Sequence, residues 1–554
     1  MQVIQGPGAL IFIKEGMSME LLISFVPIIV IIVLIAGFKV RGDITGVIGW
    51  ILMLAVAALF FHTSIEIGLL ASVKGALASL SITGMGFFAL LQITFMQHTG
   101  ALERIVVTIK TFSHDDRACQ IMVVNVVFGT MLVCVGATPA IILPPIMFAM
   151  GYTTVIAIAL PCIGYDSLCT FAMLGATVVT LTDILVGSGF TINGAEPTVP
   201  QVAQYFSHYL PVITPCICFA MLFMAGGFKL FKEGWLAALI TGVCMGGSAW
   251  LLNMYAPFTV TLLGVCSGAI TLCVMLVYMK IRGVRFFNHD VLDEEDKKIE
   301  ASMPFWKALS PWALLIFFCV ITNFVLPLKD FLYSGPLEMR VKLWANDAGQ
   351  PIRLFWQAYF WVLISTIIAT AIIKPKKGTW GAVLKDWNHR WAPPTISSFV
   401  YFMIAYVMMY SGYAVGADGT WALVNEDWSI PALWAHSAAD LFGWWYPVAN
   451  GFLGLLGGFI TGSEASTGAL FATYNIISSQ DLGLNAIAVI ASGGIAAGLA
   501  SVITPVKLQQ SAASLNKIGV EGEVLRHVIP YAIVLVCISV VMSQIFAVTI
   551  PVNG

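Results

Sequence analysis

Residues 461–468 read Thr-Gly-Ser-Glu-Ala-Ser-Thr-Gly, in the middle of an apolar stretch that runs from 446 to 475. A membrane-crossing helix needs about 20 apolar residues, so the stretch is long enough to be one. Its centre argues otherwise. Glycines, small hydroxyl side chains and a carboxylate favour turns and caps over helix interior. Non-helical backbone survives at membrane depth only where protein or a water-filled cavity satisfies its polar groups. The stretch is therefore either one kinked crossing or a hairpin that enters and leaves on the same side, and that choice decides the architecture.

The surrounding chain makes a membrane the right setting. Of its 554 residues 59% are hydrophobic and 10% charged, against about 25% charged in soluble domains. The 27 Lys and Arg against 29 Asp and Glu leave a net charge of −2, so there is no footprint for nucleic acid. The cysteines show no CxxC pair and no zinc spacing, which reads them as small buried hydrophobes. Met1–Ser18 is short and mixed, and Leu21–Gly37 runs straight into Lys39 and Arg41, a first span rather than a cleaved signal.

Twelve stretches qualify as full crossings: 21–37, 44–61, 76–97, 154–186, 209–228, 235–252, 257–279, 310–327, 354–373, 395–411, 484–510 and 528–550. A second ambiguous stretch, 120–150, matches 446–475 in its Gly- and Pro-rich middle. Lys and Arg collect in cytoplasmic loops, and this decides both cases. The clusters at 280–307 and 374–390 lie two spans apart, and Lys229/Lys232 lie two spans before them. Reading 120–150 and 446–475 as hairpins keeps all these loops inside. It leaves Lys14, Lys74, Lys329, Arg340, Lys342 and Arg353 outside.

The expected fold is thus an all-α polytopic membrane protein, with about twelve crossings and two re-entrant hairpins in inverted repeats. The N-terminal half, 1–279, holds the first hairpin and a broken helix at 154–186. A cytoplasmic, solvated linker covers 280–309. The C-terminal half, 310–554, holds the second hairpin and a broken helix at 484–510.

Candidate site residues follow from the breaks. The first hairpin breaks at Gly136-Ala137-Thr138-Pro139, and the helix after it at Pro161–Ser167. The second hairpin breaks at Thr461–Gly468, and its following helix near Ser492-Gly493-Gly494 and again at Thr504-Pro505-Val506-Lys507. Helix N-termini at such breaks present free N–H groups and partial positive charge to an anion, and hydroxyls add donors. Gly136, Thr138, Ser167, Thr461, Gly462, Ser463, Ser466, Thr467, Ser492, Thr504 and Lys507 are the expected substrate contacts. The competing reading is that small residues only let helices pack, as at Gly494/Gly498 and Gly454/Gly458. Ionisable residues inside spans default to function. Asp166, Asp183 and Glu464 qualify, and Asp166 and Glu464 lie within breaks, where a carboxylate can carry a coupling proton or ligate Na⁺. Lys507 can neutralise a substrate anion or serve as an ordinary cytoplasmic lysine. His436 and Asp440, in the Trp-rich 434–445 stretch, read as an interfacial helix rather than a proton relay.

Phe459-Ile-Thr-Gly-Ser-Glu-Ala-Ser-Thr-Gly-Ala-Leu-Phe471 closely resembles the F-x-T-G-S-[DE]-x-S-[ST]-x-A-L-F signature of the L-lactate permease family. Ser492-Gly-Gly494, Ile503-Thr-Pro505 and Val520-Glu-Gly-Glu523 follow at the family's spacing. Phe128-Gly129 and Gly136–Pro139 look like a shortened form of its first Gly-rich motif. The resemblance implies proton-coupled uptake of lactate, glycolate or related 2-hydroxy acids across the cytoplasmic membrane. The chain departs from the family at three places. Leu132–Gly136 lacks the acidic residue of F-L-E-G-A-A-G-F-G-A-P. V-N-T-A-P is replaced by Gly164-Tyr165-Asp166-Ser167-Leu168, and a Gln near Pro505 is replaced by Val506. On this resemblance Asp166 takes over the proton-carrying role of the missing Glu.

Other classes are weaker. No HExxH, GxSxG or His-rich set suggests an enzyme, and no Walker sequence suggests ATP-driven transport. A channel stays open, because broken helices also line pores. So does a Na⁺-coupled carrier of another small carboxylate or sulfonate. No cofactor is expected. The 329–353 stretch is a candidate covering for a homodimer or pore surface.

Overall fold

The computed structural model describes residues 19–34, 38, 40–112, 116–501, 503–515, 517 and 519–550. Lys14, Lys39 and the predicted end of the first span at 35–37 lie outside the described residues, as do the side chains of Thr461 and Val506. The protein is all-α and polytopic. Among the described residues, nine helices are long and apolar enough to cross a membrane, and four shorter apolar helices accompany them.

The chain opens with α1 (Met19–Ile32), α2 (Gly42–Phe60), α3 (Ile65–Ala78), α4 (Leu80–His98) and α5 (Ala101–Lys110). The first hairpin stretch follows. It comprises α6 (Arg117–Ile121), a π-helical segment Met122–Phe128, α7 (Gly129–Cys134) and, after a break, α8 (Pro139–Ala149). Next come α9 (Thr154–Gly164), a 3-10 segment Tyr165–Phe171, α10 (Ala172–Gly187) and α11 (Val199–Ser207). Helix α12 (Leu210–Tyr255) is broken at Gly226–Gly227, where Gly227 has φ +60°, so it supplies two of the predicted spans. Then follow α13 (Leu263–Arg282), α14 (Glu294–Ser302), α15 (Phe305–Phe324), α16 (Leu326–Tyr333), α17 (Ala358–Ile373), α18 (Thr379–Arg390) and α19 (Ala392–Met409). The last group is α20 (Ile430–Phe442), α21 (Tyr446–Thr461), α22 (Glu464–Asp481), α23 (Ala486–Ser501), α24 (Pro505–Ser514) and α25 (Glu521–Thr549).

The order helix, break, helix, helix, break, helix occurs twice: in 117–187 and again in 446–514. Of the predicted breaks, Pro161–Ser167 is found shifted toward its C-terminal end and Ser492-Gly493-Gly494 is not a break. Helix α9 runs through Pro161, and the chain leaves α-helical geometry only at Tyr165. The departure there is large. Leu168 has φ −136°, and Met173, Leu174 and Gly175 are all left-handed at φ 50°, 58° and 75°. Left-handed non-glycine residues each cost about 1–3 kcal/mol and gather at functional segments. Ser492-Gly493-Gly494 sits inside a continuous α23. Glycine lowers helix propensity without ending a helix, and here Gly493 lies against Asn450 of α21.

Two of the six basic residues expected outside are buried in ion pairs. Helix α3 begins at Ile65, earlier than the predicted span, so Lys74 is helical and 2% exposed. Its ammonium pairs with Asp347, lies 3.3 Å from the Tyr410 hydroxyl and sits 4.4 Å from the Trp344 ring centre. Asp347 occupies the turn of a short hairpin, β1 (Arg340–Val341) with β2 (Gln350–Pro351), and accepts the N–H groups of Leu343 and Gly349. Arg353, 5% exposed, reaches Asp183 of α10 at 2.8 Å, and its guanidinium lies over the Tyr333 ring. The 329–353 stretch is thus pinned to the helices at two points. Asp183 is a structural partner rather than a free intramembrane carboxylate.

The 280–309 segment is anchored to the helices: Lys110 of α5 bonds Asp296 of α14 at 2.8 Å, and Phe112 bridges Phe287. In the Trp-rich stretch, Trp434 is buried against Phe25 and donates to Ser24, whereas Trp444 and Trp445 are exposed. His436 bonds Asp481, not Asp440.

Removing one partner of a buried ion pair costs about 3–5 kcal/mol, because the other charge is left uncompensated. Lys74→Met and Asp347→Asn should each lower the detergent-solubilised protein's thermal midpoint. The paired replacement Lys74→Met/Asp347→Leu should recover part of the loss.

Candidate functional site

The second hairpin turns at Gly462, whose φ of +66° suits glycine. Ser463 then caps α22: its Oγ accepts the Ser466 N–H at 3.3 Å, and Thr467 Oγ1 donates to the Ser463 carbonyl at 2.9 Å. The cap places Glu464 in the first turn, 5% exposed. The break in the following helix lies alongside, since a Cβ on Gly462 would stand 3.3 Å from Thr504 Cγ2. Gly462, Ser463, Ser466, Thr467 and Thr504 are therefore brought together. Most of their polar contacts build the turn itself.

The first repeat delivers the opposing groups. Its 3-10 segment carries Asp166 and Thr170, both buried, and Thr170 Oγ1 donates to Glu464 Oε1 at 2.6 Å. Glu464 Oε2 and both oxygens of Asp166 have no hydrogen-bond partner among the described residues. The two carboxylates converge on α23. A Cβ on Gly498 would stand 3.0 Å from Glu464 Oε2 and 3.6 Å from Asp166 Oδ1. One on Gly494 would stand 3.4 Å from Glu464 Oε1. Gly494 and Gly498 thus form a slot for the acids. Gly454 and Gly458 of α21 are the packing pair: their Cβ positions fall 2.2 and 2.3 Å from the Gly493 and Ala497 carbonyl oxygens of α23.

Lys507, in the first turn of α24, donates to the Tyr165 hydroxyl at 2.8 Å, one residue from Asp166. One turn later Ser511 donates to the Ala140 carbonyl at 2.5 Å and lies 3.4 Å from Cys162 Sγ. Helix α24 is thereby held against α8 and α9, and the cation of the second repeat stands beside the acid of the first. Unpaired ionised carboxylates in a dry site cost several kcal/mol each. The arrangement can therefore bind and release a proton or small cation next to an anchored ammonium.

Four predicted residues make no described contact with these acids. Gly136 faces Ala89 and Met85 of α4, and Thr138 stands at the start of α8 without a side-chain cap bond. Ser167 shares a 2.9 Å hydrogen bond with Thr130. Ser492 is fully buried, 3.6 Å from the Cβ position of Gly451 on α21. Thr170 and Cys169, whose Cβ lies 3.6 Å from the Cβ position of Gly498, escaped the sequence reading, and Tyr165 and Gly498 were named there without a site role. Thr170 had a signal, being a hydroxyl four residues beyond Asp166 in the same break.

A family model described as L-lactate permease matches residues 20–550. The chain is 21% identical to an L-lactate permease of Salmonella typhi over 95% of both chains. It is 22% identical to an L-lactate permease of Bacillus subtilis (strain 168), over 97% of this chain and 98% of that one. Glycolate permease GlcA of Escherichia coli (strain K12) is 21% identical over 94% of each. Among solved structures the chain is similar to Neisseria gonorrhoeae MtrF, described as one of a class of antimetabolite efflux pumps, with TM-score 0.44, 13% identity and coverage of 92% and 96%.

The two glycine pairs should respond differently to a methyl group. Gly454→Ala drives a Cβ into the α23 backbone and should cost about 1–3 kcal/mol or more. Gly498→Ala meets Glu464 Oε2 at 3.0 Å, with Asp166 Oδ1 and Cys169 Cβ at ordinary contact distance of 3.6 Å, and should cost less. Thermal unfolding of the two variants in detergent makes the comparison.

Proposed function

The chain belongs to the L-lactate permease family, and from that premise we propose that it takes up a small 2-hydroxy monocarboxylate, of the lactate and glycolate kind, by proton symport across the cell membrane. One observation carries the coupling: two buried carboxylates, Asp166 and Glu464, one from each repeat, with unpartnered oxygens converging on Gly498. A proton on this pair removes the penalty of burying two like charges and is released when the site opens to water. Lys507, already beside Asp166, receives the substrate carboxylate as a charge-assisted partner. The N-terminus of α22 and the hydroxyls of Ser463 and Ser466 supply further donors around the anion, and Thr467 and Thr504 shape the turn beside it.

The proposed topology is that of the charge count: twelve crossings, with 120–150 and 446–475 as opposed hairpins in two inverted halves. The repeated order of helices and breaks supports it. The buried placement of Lys74 and Arg353 removes two of the six exceptions to the positive-inside count.

Purified protein in proteoliposomes tests the reading. Labelled lactate or glycolate should accumulate saturably when the lumen is made alkaline. Asp166→Asn and Glu464→Gln should each cut that gradient-driven uptake by about tenfold or more, the scale of a lost buried charge interaction. Uptake driven by an imposed Na⁺ gradient, with no response to pH, overturns the proton. Non-saturable flux that never concentrates the anion overturns the carrier.

A further inference from the structure

The 2.6 Å bond from Thr170 to Glu464 joins the two repeats, yet proton symport as proposed gives it no role. Thr170 is 1% exposed. Its hydroxyl has one proton, and the geometry directs that proton at Glu464 Oε1. The second oxygen of the same carboxylate, Oε2, is the one that faces Gly498 and the Asp166 side, and it is the one without a partner among the described residues. The two oxygens of Glu464 are therefore unequal.

We propose that Thr170 is a positioning residue for proton coupling: by occupying Glu464 Oε1 it leaves Oε2, the oxygen turned toward Asp166, as the site where the coupling proton binds. The inference rests on the proton-symport reading and adds to it the atom and the residue that selects it. A proton arriving from water forms an O–H bond at Oε2, and the Thr170 bond to Oε1 persists because a carboxylic acid's carbonyl oxygen still accepts. Loading and release then proceed without rearranging the contact between repeats. In the ionised state the same hydroxyl is the donor to Oε1, with the Cys169 thiol beside the carboxylate, so its loss weakens the charged form selectively. The other titratable or charged groups facing Glu464 are Asp166 and Cys169 from the 3-10 segment and Lys507 from α24. From α23 come only the two glycines, from α11 the apolar Phe206, and Asp183 of α10 is held by Arg353.

The test is the pH dependence of lactate uptake in proteoliposomes for wild type, Thr170→Val, Thr170→Ala and Thr170→Ser, with Glu464→Gln as reference. Valine keeps the shape and removes the donor. Its half-maximal pH should move alkaline by about one unit, the size of one lost hydrogen bond to a charged group. Alanine should move it the same way if valine does not fold, and serine should restore the wild-type profile. A merely packing role predicts loss of stability or a changed KM with the profile unmoved, and that outcome overturns the proposal, as does a serine variant that behaves like valine. If Glu464→Gln itself keeps its response to the proton gradient, the underlying symport reading fails instead. If Glu464→Gln loses that response while Thr170→Val matches wild type, only the positioning role fails.

Discussion

A charge or an unbonded backbone group at membrane depth is costly unless something answers it, and this chain places both in the same few residues. The 3-10 segment Tyr165–Phe171 and the turn at Gly462–Ser463 interrupt helices where Asp166 and Glu464 enter the interior. The rest of the C-terminal repeat is arranged around that fact. Gly454 and Gly458 let α21 lie against the α23 backbone, which fixes the turn. Gly494 and Gly498 empty the opposite side of α23 for the acids. Helix α24 then crosses to the first repeat, where Ser511 and Lys507 hold α8 and Tyr165. Neither repeat builds the site alone.

The same constraint is met differently at Lys74–Asp347 and Arg353–Asp183. There each charge has an opposite partner together with further hydrogen bonds or an aromatic face. Such groups have nothing left to bind, and their role is to pin the 329–353 stretch to α3 and α10. Asp166 and Glu464 are equally buried and far less completely paired. That contrast separates structural from functional charge here. A fully answered charge fixes a contact, whereas an incompletely answered one requires a mobile species such as a proton.

How much of this the sequence discloses depends on where each residue's partner lies. Gly462–Ser463–Glu464 and Thr504–Pro505 are legible because helix breaks are local events, signalled by neighbours in the chain. Asp166 is legible because a carboxylate in an apolar run stands out. Lys74 is not: its partner is 273 residues away, and a lysine just before a predicted span looks like a loop residue. Arg353 fails for the same reason, its acid being 170 residues distant. Pro161 and Ser492-Gly493-Gly494 mislead in the other direction. Both look like breaks, yet α9 and α23 continue through them because packed neighbours hold the helices together. Thr170 is a common residue whose importance comes only from what the second repeat sets against it.

The two glycine pairs show why spacing alone could not settle the site. Gly454/Gly458 and Gly494/Gly498 have identical four-residue spacing, and as sequence both match the small-xxx-small pattern of close helix packing. On α21 that reading is right, because the missing side chains are replaced by backbone of α23. On α23 it is wrong, because the missing side chains are replaced by two carboxylates and a phenylalanine ring. The side chain absent at 498 therefore helps set how closely Asp166 and Glu464 approach. On the proposed function that approach governs whether one proton can serve both acids, since the penalty of two neighbouring negative charges rises as their separation falls. A residue with no functional group thus belongs to the chemistry of the site as much as the acids do.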